Sequence, residues 1–404
     1  MLEKLVWAGA NLSSYAQATA AIEVLAGLSV TAKQVRRITT QAGDDRLQER
    51  REQVAAFQSL PLVERTSPHP TADPPELGVV MPDGGRMQRR DLFAPRGSSK
   101  QKSRAKPKSA GDKTSHWRED KVGVVLAMRS DVFEQDPCPD FPDWLAGASV
   151  VAEIAQLAAR EENDAEASEL PAVEASLDEP ALEESSATNW PGGPELLRRD
   201  VVASMEDSES FGWHLEWEAW RGGITAAPRQ AFVADGAAVN WTIHRQHFSQ
   251  MTGVLDLMHA LSYAWRAARP LDAGAYRRFA EAIWQGRVDA VIAELAERLD
   301  TTPENPESGA AWQRAHTYFT NHRERMKYPE YRKQGLPLTS SHIESTIKQI
   351  NVRMKGTEKF WRRDNADALL QLRSDCLSDS APLDAFWTRW RTRQTGANRY
   401  RAAV

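Results

Sequence analysis

Cysteine is almost missing from this chain: Cys138 and Cys376 are the only two among 404 residues. Two thiols give neither a disulfide framework nor a Cys-based zinc site, so an intracellular, reducing compartment is the expectation. Long apolar stretches are missing as well. No run of about 18 apolar residues occurs, and the N-terminus lacks the basic-then-apolar layout of a signal peptide, so membrane spanning and secretion are not expected. Cations are missing from one region, residues 161–187, which carry ten acids and no Lys or Arg. With those ten set aside the net charge of −5 becomes +5. A mildly basic body therefore carries one acidic segment, interrupted by Ala and Pro and expected to be a disordered linker. Nucleic acid stays a fitting partner despite the acidic total. The remaining composition, 41% hydrophobic and 26% charged, is that of soluble globular proteins, and the length allows two or three domains.

The densest signal lies late in the chain. Gly335-Leu-Pro-Leu-Thr-Ser-Ser-His-Ile-Glu344 is a loop breaking into a helix, with Ser340 or Ser341 placed to cap its start. Glu344 then falls in the first turn, where the helix dipole favours a negative charge, and Lys348 follows one turn along the same face. Six cations (Lys348, Arg353, Lys355, Lys359, Arg362 and Arg363) stand against the single Glu358, with Phe360 and Trp361 among them. Cations interleaved with rings suit a phosphate backbone and stacked bases. The plainer alternative is an exposed amphipathic helix with an ordinary N-terminal acid.

Upstream, residues 13–43 predict two helices, 13–26 and 31–40, about a turn at Gly27-Leu-Ser29, with Thr31 as a cap and Lys33, Arg36 and Arg37 on the outer side. This is the outline of a helix-turn-helix that reads DNA, and equally that of a structural hairpin. A charged helix over 44–59 and a Pro-rich linker follow. Leu77-Gly-Val-Val-Met81 and residues 86–91 predict a hairpin around Asp83-Gly-Gly85, and residues 96–113 a mobile basic loop. A third strand is expected over 121–128, a helix over 144–160, a long helix over 194–221, strands over 230–234 and 253–256, and helices over almost all of 271–334. The order is that of an α/β protein with a mixed sheet.

Three acids sit where these elements end: Asp83, Asp235 and Glu344. Crowded carboxylates raise one another's pKa, and divalent cations reverse that penalty. Mg²⁺ takes one or two carboxylates while keeping waters and phosphate oxygens, and two such ions can drive an in-line displacement at phosphorus. Each Asp alone is also readable as a plain Asp-Gly turn. Asp256 and His259, three apart at a strand-to-helix junction, form a fourth element: a support, a ligand pair or a DNA contact, or simply an N-cap beside a buried His.

The chain resembles the transposases of bacterial insertion sequences of the ISKra type, relatives of the Mutator-like DDE transposases. The resemblance rests on His116-Trp-Arg-Glu-Asp-Lys-Val-Gly123, Asp136-Pro-Cys-Pro139, Val233-Ala-Asp-Gly-Ala237, Leu255-Asp-Leu-Met-His-Ala260 and Tyr328-Pro-Glu-Tyr-Arg332. Above all it rests on residues 335–345 together with Arg353-Met-Lys-Gly-Thr-Glu-Lys-Phe-Trp361, and it spans roughly residues 13–390. It implies an RNase H-like mixed-sheet catalytic core, with Asp83 and Asp235 as the strand aspartates and Glu344 as the helix glutamate. Asp256 and His259 match the family's D-x-x-H element, and Asp256 is the alternative to Asp235 as second ligand. Two departures stand out. Pro82 precedes Asp83 in what should be a central strand, so that strand is expected to end early. The Cys-bearing zinc module that can open related transposases has no counterpart, which leaves end recognition to the helix-turn-helix, or the chain truncated.

The expected layout is a helix-turn-helix-like DNA-binding region over 1–60, a linker over 61–76 and the first part of the core over 77–270. A helical insertion over 271–334 and the catalytic-Glu helix with its basic tail over 335–404 complete it. The resemblance implies a cytoplasmic, nucleoid-associated transposase. It would bind terminal inverted repeats in double-stranded DNA, cut them with two Mg²⁺ ions (Mn²⁺ substituting), join them to target DNA, and act as a homodimer or larger assembly. The alternatives are a catalytically silent DNA-binding regulator and an RNase H-like nuclease. As for the acidic segment, the linker reading predicts that deleting 161–187 leaves non-specific DNA affinity and its salt slope unchanged in a salt titration; tighter binding would show autoinhibition.

Overall fold

The computed structural model describes residues 1–88, 117–167, 190, 192–301, 305–356 and 359–395. Helices α1 (Leu2–Asn11), α2 (Tyr15–Ala26), α3 (Ala32–Gln58) and α4 (Leu62–Thr66) lead into strands β1 (Leu77–Gln88) and β2 (Trp117–Arg129). Then come α5 (Asp143–Ala146), α6 (Ala148–Ala167), β3 (Glu195–Ser204), α7 (Ser208–Arg221), β4 (Arg229–Ala234), α8 (Ala238–His247) and β5 (Thr252–Leu255). The rest is helical: α9 (Leu257–Ala268), α10 (Ala275–Trp284), α11 (Val288–Asp300), α12 (Pro306–His322), α13 (Tyr328–Lys333), α14 (Ser341–Met354), α15 (Arg363–Leu377) and α16 (Pro382–Thr395). The fold is mixed α/β: one five-stranded mixed sheet in the order β3-β2-β1-β4-β5, with helices at the N-terminus and around it. No helix among the described residues is long and apolar enough to cross a membrane.

The sheet forms where the apolar runs are. Val79, Val80 and Met81 of β1 are consecutive and fully buried, as are Val124, Val125 and Leu126 of β2, so both faces of the sheet centre are covered. β2 runs antiparallel to β1 and β3, whereas β1, β4 and β5 are parallel. Helix α14 packs on β1 and β2, α15 on β3 and α3, and α6 on α9.

Four expectations need correcting. Residues 83–85 are not a hairpin tip. β1 continues through Pro82, Asp83, Gly84 and Gly85 to Gln88, because β2 supplies an unbroken antiparallel partner for the whole stretch. Pro82 does not end the strand. The parallel ladder to β4 stops at Val80 beside Phe232, short of the residue that has no N–H to give, while the ladder to β2 runs on. The first half of the helix expected over 194–221 is strand β3: Arg198 pairs with Asp200 two residues along the same strand, and the Arg199 N–H donates to Asp379 Oδ2 near the other end of the chain. Residues 161–167 are helical, as the end of α6, and the rest of the acidic segment and the basic loop over 96–113 lie outside the described residues.

The N-terminal helices also differ in detail. α2 begins with Ser14 accepting from the Gln17 N–H and ends at Gly27; Thr31 and Gln34 then form a reciprocal capping box at the start of α3. But α3 runs on to Gln58, joining what reads as two helices into one of 27 residues. Its buried Arg46 meets Asp375 of α15 at 2.9 Å, and its buried Arg50 meets Glu218 of α7 at 3.2 Å. Buried pairs of this kind fix register more than they add stability, since desolvation offsets most of the attraction. They dock α3 against the sheet's helices.

Gly43 permits that docking. A Cβ at this position would lie 2.5 Å from the carbonyl oxygen of Ala368 in α15. In an exposed helix Gly→Ala stabilises by about 1 kcal/mol; here overpacking, at about 1–3 kcal/mol, opposes it and wins because the obstacle is backbone. Gly43→Ala is expected to lower unfolding free energy by about 1–2 kcal/mol in urea titration; a gain would refute the close crossing.

Candidate active site

β1 and β4 lie side by side with Val80 level with Phe232, and the same offset sets Asp83 level with Asp235 just past the last paired residues. β4 and β5 pair Ala234 with Leu255, which brings Asp256 level with Asp235 on the other side. Three acids from three adjoining parallel strands thus form a row. Glu344 enters in the first turn of α14, which packs on β1.

The four acids are not equivalent. Asp83 is half-buried, and its carboxyl is pushed up to about 7, first by burial and then by the negative charge of Asp235. A hydrogen bond from the Gly84 N–H (2.6 Å to Oδ1) and the charge of His259 oppose this, and Glu344 adds to it. Asp235 is oriented by its own loop: its Oδ1 accepts from the Ala237 N–H at 3.0 Å and from Asn240 Nδ2 at 2.9 Å. Burial raises the Glu344 carboxyl, Asp256 raises it further, and His259 and Lys348 pull it down. The charge of His259 thus acts on both Asp83 and Glu344, and that of Lys348 acts on Glu344 from one turn along α14.

Asp256 is completely buried and fully committed. Its Oδ1 accepts from the His259 N–H at 2.9 Å, capping α9, and its Oδ2 accepts from the Ser340 N–H at 2.5 Å, at the threshold of α14. Ser340 occupies the N-cap position of α14 without a side-chain cap bond, and Asp256 holds that residue by its own N–H. With both oxygens on backbone amides, Asp256 ties the start of α9 to the segment entering α14.

A cavity of about 160 Å³ opens beside Asp83 and Asp235, walled by Glu119, Lys121, Phe211 and Asn240. The glycines after the two acids differ: a Cβ at Gly84 would meet nothing closer than Glu119 Oε1 at 3.5 Å, whereas one at Gly236 would fall 2.2 Å from the ring of Tyr318. Tyr318 is itself stacked on Tyr263, with centroids 3.7 Å apart. Gly236 lets that ring pair close on the Asp235 turn. Asn240 and Tyr318 were not singled out in the sequence; an Asn five residues beyond a strand-ending Asp, in the first turn of a helix, was the available signal for the former.

Among the described residues no three His, Cys, Asp or Glu side chains converge tightly enough to cage a metal ion. Mg²⁺ needs no cage, because water and substrate phosphate complete its shell. The Asp83–Asp235 pair fits that requirement, since Asp83 is destabilised as a bare anion by burial and by its neighbour. Glu344 stands near enough to act on Asp83 electrostatically.

The cationic residues separate into surface and interior. Lys33, Arg36 and Arg37 are exposed on the first turns of α3, and Lys348 and Arg362 are exposed as well. Arg353 is not a surface contact: it is 1% exposed, and its Nε donates to the Gly9 carbonyl at 2.9 Å. Lys359 is half-buried and caps α14, with Nζ donating to the carbonyls of Val352 and Arg353. Trp361 is half-buried, with Nε1 donating to the Met354 carbonyl at 2.8 Å. Lys355 is half-buried and holds down the Asp120 carboxyl, which burial pushes up to about 6. Arg363 opens α15, and its side chain lies outside what is described.

No protein-family model matches this chain, and no curated protein matches it.

Two stability measurements test the assignment. Because the folded state holds Asp83 protonated up to about pH 7, ionising it destabilises the fold as pH rises from the ordinary carboxylate range through 7, and the cost is complete above. Without divalent cations, Asp83→Asn is expected to raise stability by about 1–3 kcal/mol at pH 8, with the gain fading towards pH 4. Mg²⁺ should raise the Tm of the unaltered protein and not that of the variant. Asp256→Ala is expected to do the opposite, costing about 2 kcal/mol at neutral pH by leaving two buried amides unpaired. A neutral Asp256→Ala would refute the clamp.

Proposed function

We propose that this chain is a DNA transposase: a metal-dependent enzyme that cuts at the ends of an insertion sequence and joins them to target DNA. One observation carries the reading. Two aspartates lie level on adjoining parallel strands at an open stretch of sheet, and Glu344, on the helix packed against β1, adds to the negative charge felt by Asp83. The strand order β3-β2-β1-β4-β5, with β2 antiparallel to the rest, supports an RNase H-like core. Helices α10 to α13, which lie between Ala275 and Lys333, support the reading of a helical insertion over 271–334 before Glu344.

Asp83, Asp235 and Glu344 are the residues that would hold two Mg²⁺ ions, with Mn²⁺ as a substitute. Bound there, divalent ions supply an activated water or 3′-hydroxyl and charge stabilisation at the scissile phosphate. The protein's own contribution is positional. Asn240 and the Ala237 amide hold Asp235 in one orientation, and Asp256 ties Glu344's helix to the strand ends. His259 balances the negative charge, and Lys348 offers a cation for the phosphate. Double-stranded DNA is the partner, met by the exposed cations of α3 and α14. Pairing two ends requires a homodimer or larger assembly, working at the bacterial nucleoid.

Asp83→Ala, Asp235→Ala and Glu344→Ala are each expected to reduce Mg²⁺-dependent nicking of DNA carrying the inverted repeats that flank the gene by at least roughly a hundredfold. Near-normal cleavage by any one variant would remove that residue from the site. Cleavage without joining of pre-cut ends would make the protein a nuclease, and end binding without cleavage a silent regulator.

A further inference from the structure

Helix α12, in the helical segment between β5 and α14, closes on the turn that follows Asp235. Tyr318 packs against Gly236 there. One helical turn further along, His322 is buried against Tyr318 and Trp241, with ring centres 4.8 and 6.0 Å from its own. Its ring is hydrogen-bonded to the backbone of Gly236 and feels the negative charge of Asp235.

Arg325, in the turn after α12, decides which ring nitrogen makes that bond. A guanidinium has only donors to give, and Arg325 Nη1 lies 3.1 Å from His322 Nδ1. Nδ1 is therefore the bare, accepting nitrogen, and the single N–H of the neutral ring sits on Nε2. On Gly236 only the carbonyl can accept it. Burial, and after it the charge of Arg325, pushes the ring down to about 4, so the neutral form prevails near pH 7.

The Gly236 carbonyl and the Ala237 N–H belong to one trans peptide and point in opposite directions. That N–H donates to Asp235 Oδ1 at 3.0 Å. A ring that fixes the carbonyl thus aims the amide, and the amide aims the carboxylate. The preceding peptide is held as well: Trp241 Nε1 donates to the Asp235 carbonyl at 2.8 Å. The Arg325 guanidinium lies 4.2 Å from the centre of the Trp241 ring, so one arginine stands behind both grips.

We propose that His322 is a positioning residue for Asp235, acting through the peptide between Gly236 and Ala237, with Arg325 fixing its tautomer. The helical segment then contributes to the site without supplying a ligand. The effect on metal affinity rests on the reading of Asp235 as a ligand, whereas the hold on the peptide does not. Groups that orient a ligand in this way typically change metal affinity by about 10–100-fold.

The test uses the full chain without DNA, with Mn²⁺ as the probe and electron paramagnetic resonance to measure the free ion. His322→Leu fills much of the ring's space and loses the donor, whereas His322→Gln keeps an N–H. The Leu variant is expected to bind Mn²⁺ about tenfold more weakly, and the Gln variant within about threefold of the unaltered protein. In an Asp235→Asn background His322→Leu should add nothing, because its effect passes through that carboxylate. Equal losses in the Leu and Gln variants, or none in either, overturn the proposal.

A second measurement needs no metal. In protein labelled with carbonyl-¹³C glycine and ¹⁵N alanine, carbonyl-filtered spectra show only alanines that follow glycine, and Ala237→Ser identifies the signal of Ala237. Its hydrogen exchange is expected to quicken about tenfold in His322→Leu, roughly the worth of one hydrogen bond, and to be restored in His322→Gln. Arg325→Met, at a half-exposed position, keeps a side chain over Trp241 and serves where His322→Leu does not fold. It should quicken the same exchange by about threefold, and no change there overturns the tautomer lock. If exchange follows this pattern while the unaltered protein binds no Mn²⁺, the positioning stands and the metal-site reading falls. If Mn²⁺ binding depends on Asp235 while exchange at Ala237 ignores His322, only the positioning falls.

Discussion

The arrangement of the candidate site depends on one buried carboxylate. Asp256 accepts from the amide that starts α9 and from the amide just before α14, while its own N–H donates to the Ala234 carbonyl at the end of β4. Next to it the Leu257 N–H donates to the Leu338 carbonyl. Three segments distant in sequence are pinned at one point, and two of them lead directly into Asp235 and Glu344. A charge in the interior is expensive unless each lone pair is used. Here both oxygens are used on amides at helix N-termini, where the dipoles favour an anion.

Pro82 plays the complementary part by opening what Asp256 holds together. A proline in a central strand has no amide to offer on one side, and the β1–β4 ladder gives out before reaching it. Asp83 and Asp235 lie just beyond that point, so their carboxylates are neighbours without sheet hydrogen bonds between the strands. β2 keeps β1 straight through the gap by pairing with Pro82, Asp83, Gly84 and Gly85 in turn. Repulsion between the two acids would spread an unsupported loop, and the antiparallel ladder supplies the support. The cost appears in the raised carboxyl of Asp83, as expected of a site that stores unfavourable electrostatics for a cation to relieve.

What the sequence made legible follows from which forces are local. The apolar runs of β1, β2, β4 and β5 are dense enough to announce themselves, and caps such as Thr31 with Gln34 are written in four consecutive residues. Charged β3 reads as helix because its partners, Asp379 and Ser378, lie about 180 residues away. Asp83-Gly84-Gly85 reads as a turn because turn chemistry is local, and it is overridden by a β2 ladder that sequence periodicity does not contain. Gly43 falls between the helices read over 31–40 and 44–59 and is instead a point of close approach between α3 and α15. The acids of the site could be named because few residue types do such chemistry. The commitment of Asp256 to two amides, and the burial of Arg353 among the cations, depended on contacts that only the folded chain supplies.

Arg353 also explains why the N-terminal helices belong with the site rather than apart from it. Glu344 and Arg353 lie on the same helix, nine residues apart, which at the helical rise is about 14 Å along the axis. At one end α14 presents a carboxylate to the strand acids; at the other its guanidinium is held by Gly9 and by the rings of Tyr15 and Trp361. A DNA strand advances about 3.4 Å per nucleotide, so this separation corresponds to roughly four steps. A rigid helix of that length acts as a ruler, since neither end can move without straining Asp256 at one end or Arg353 at the other. On the proposed reading, DNA held at the N-terminal helices and the acids of the candidate site would be spaced by backbone geometry.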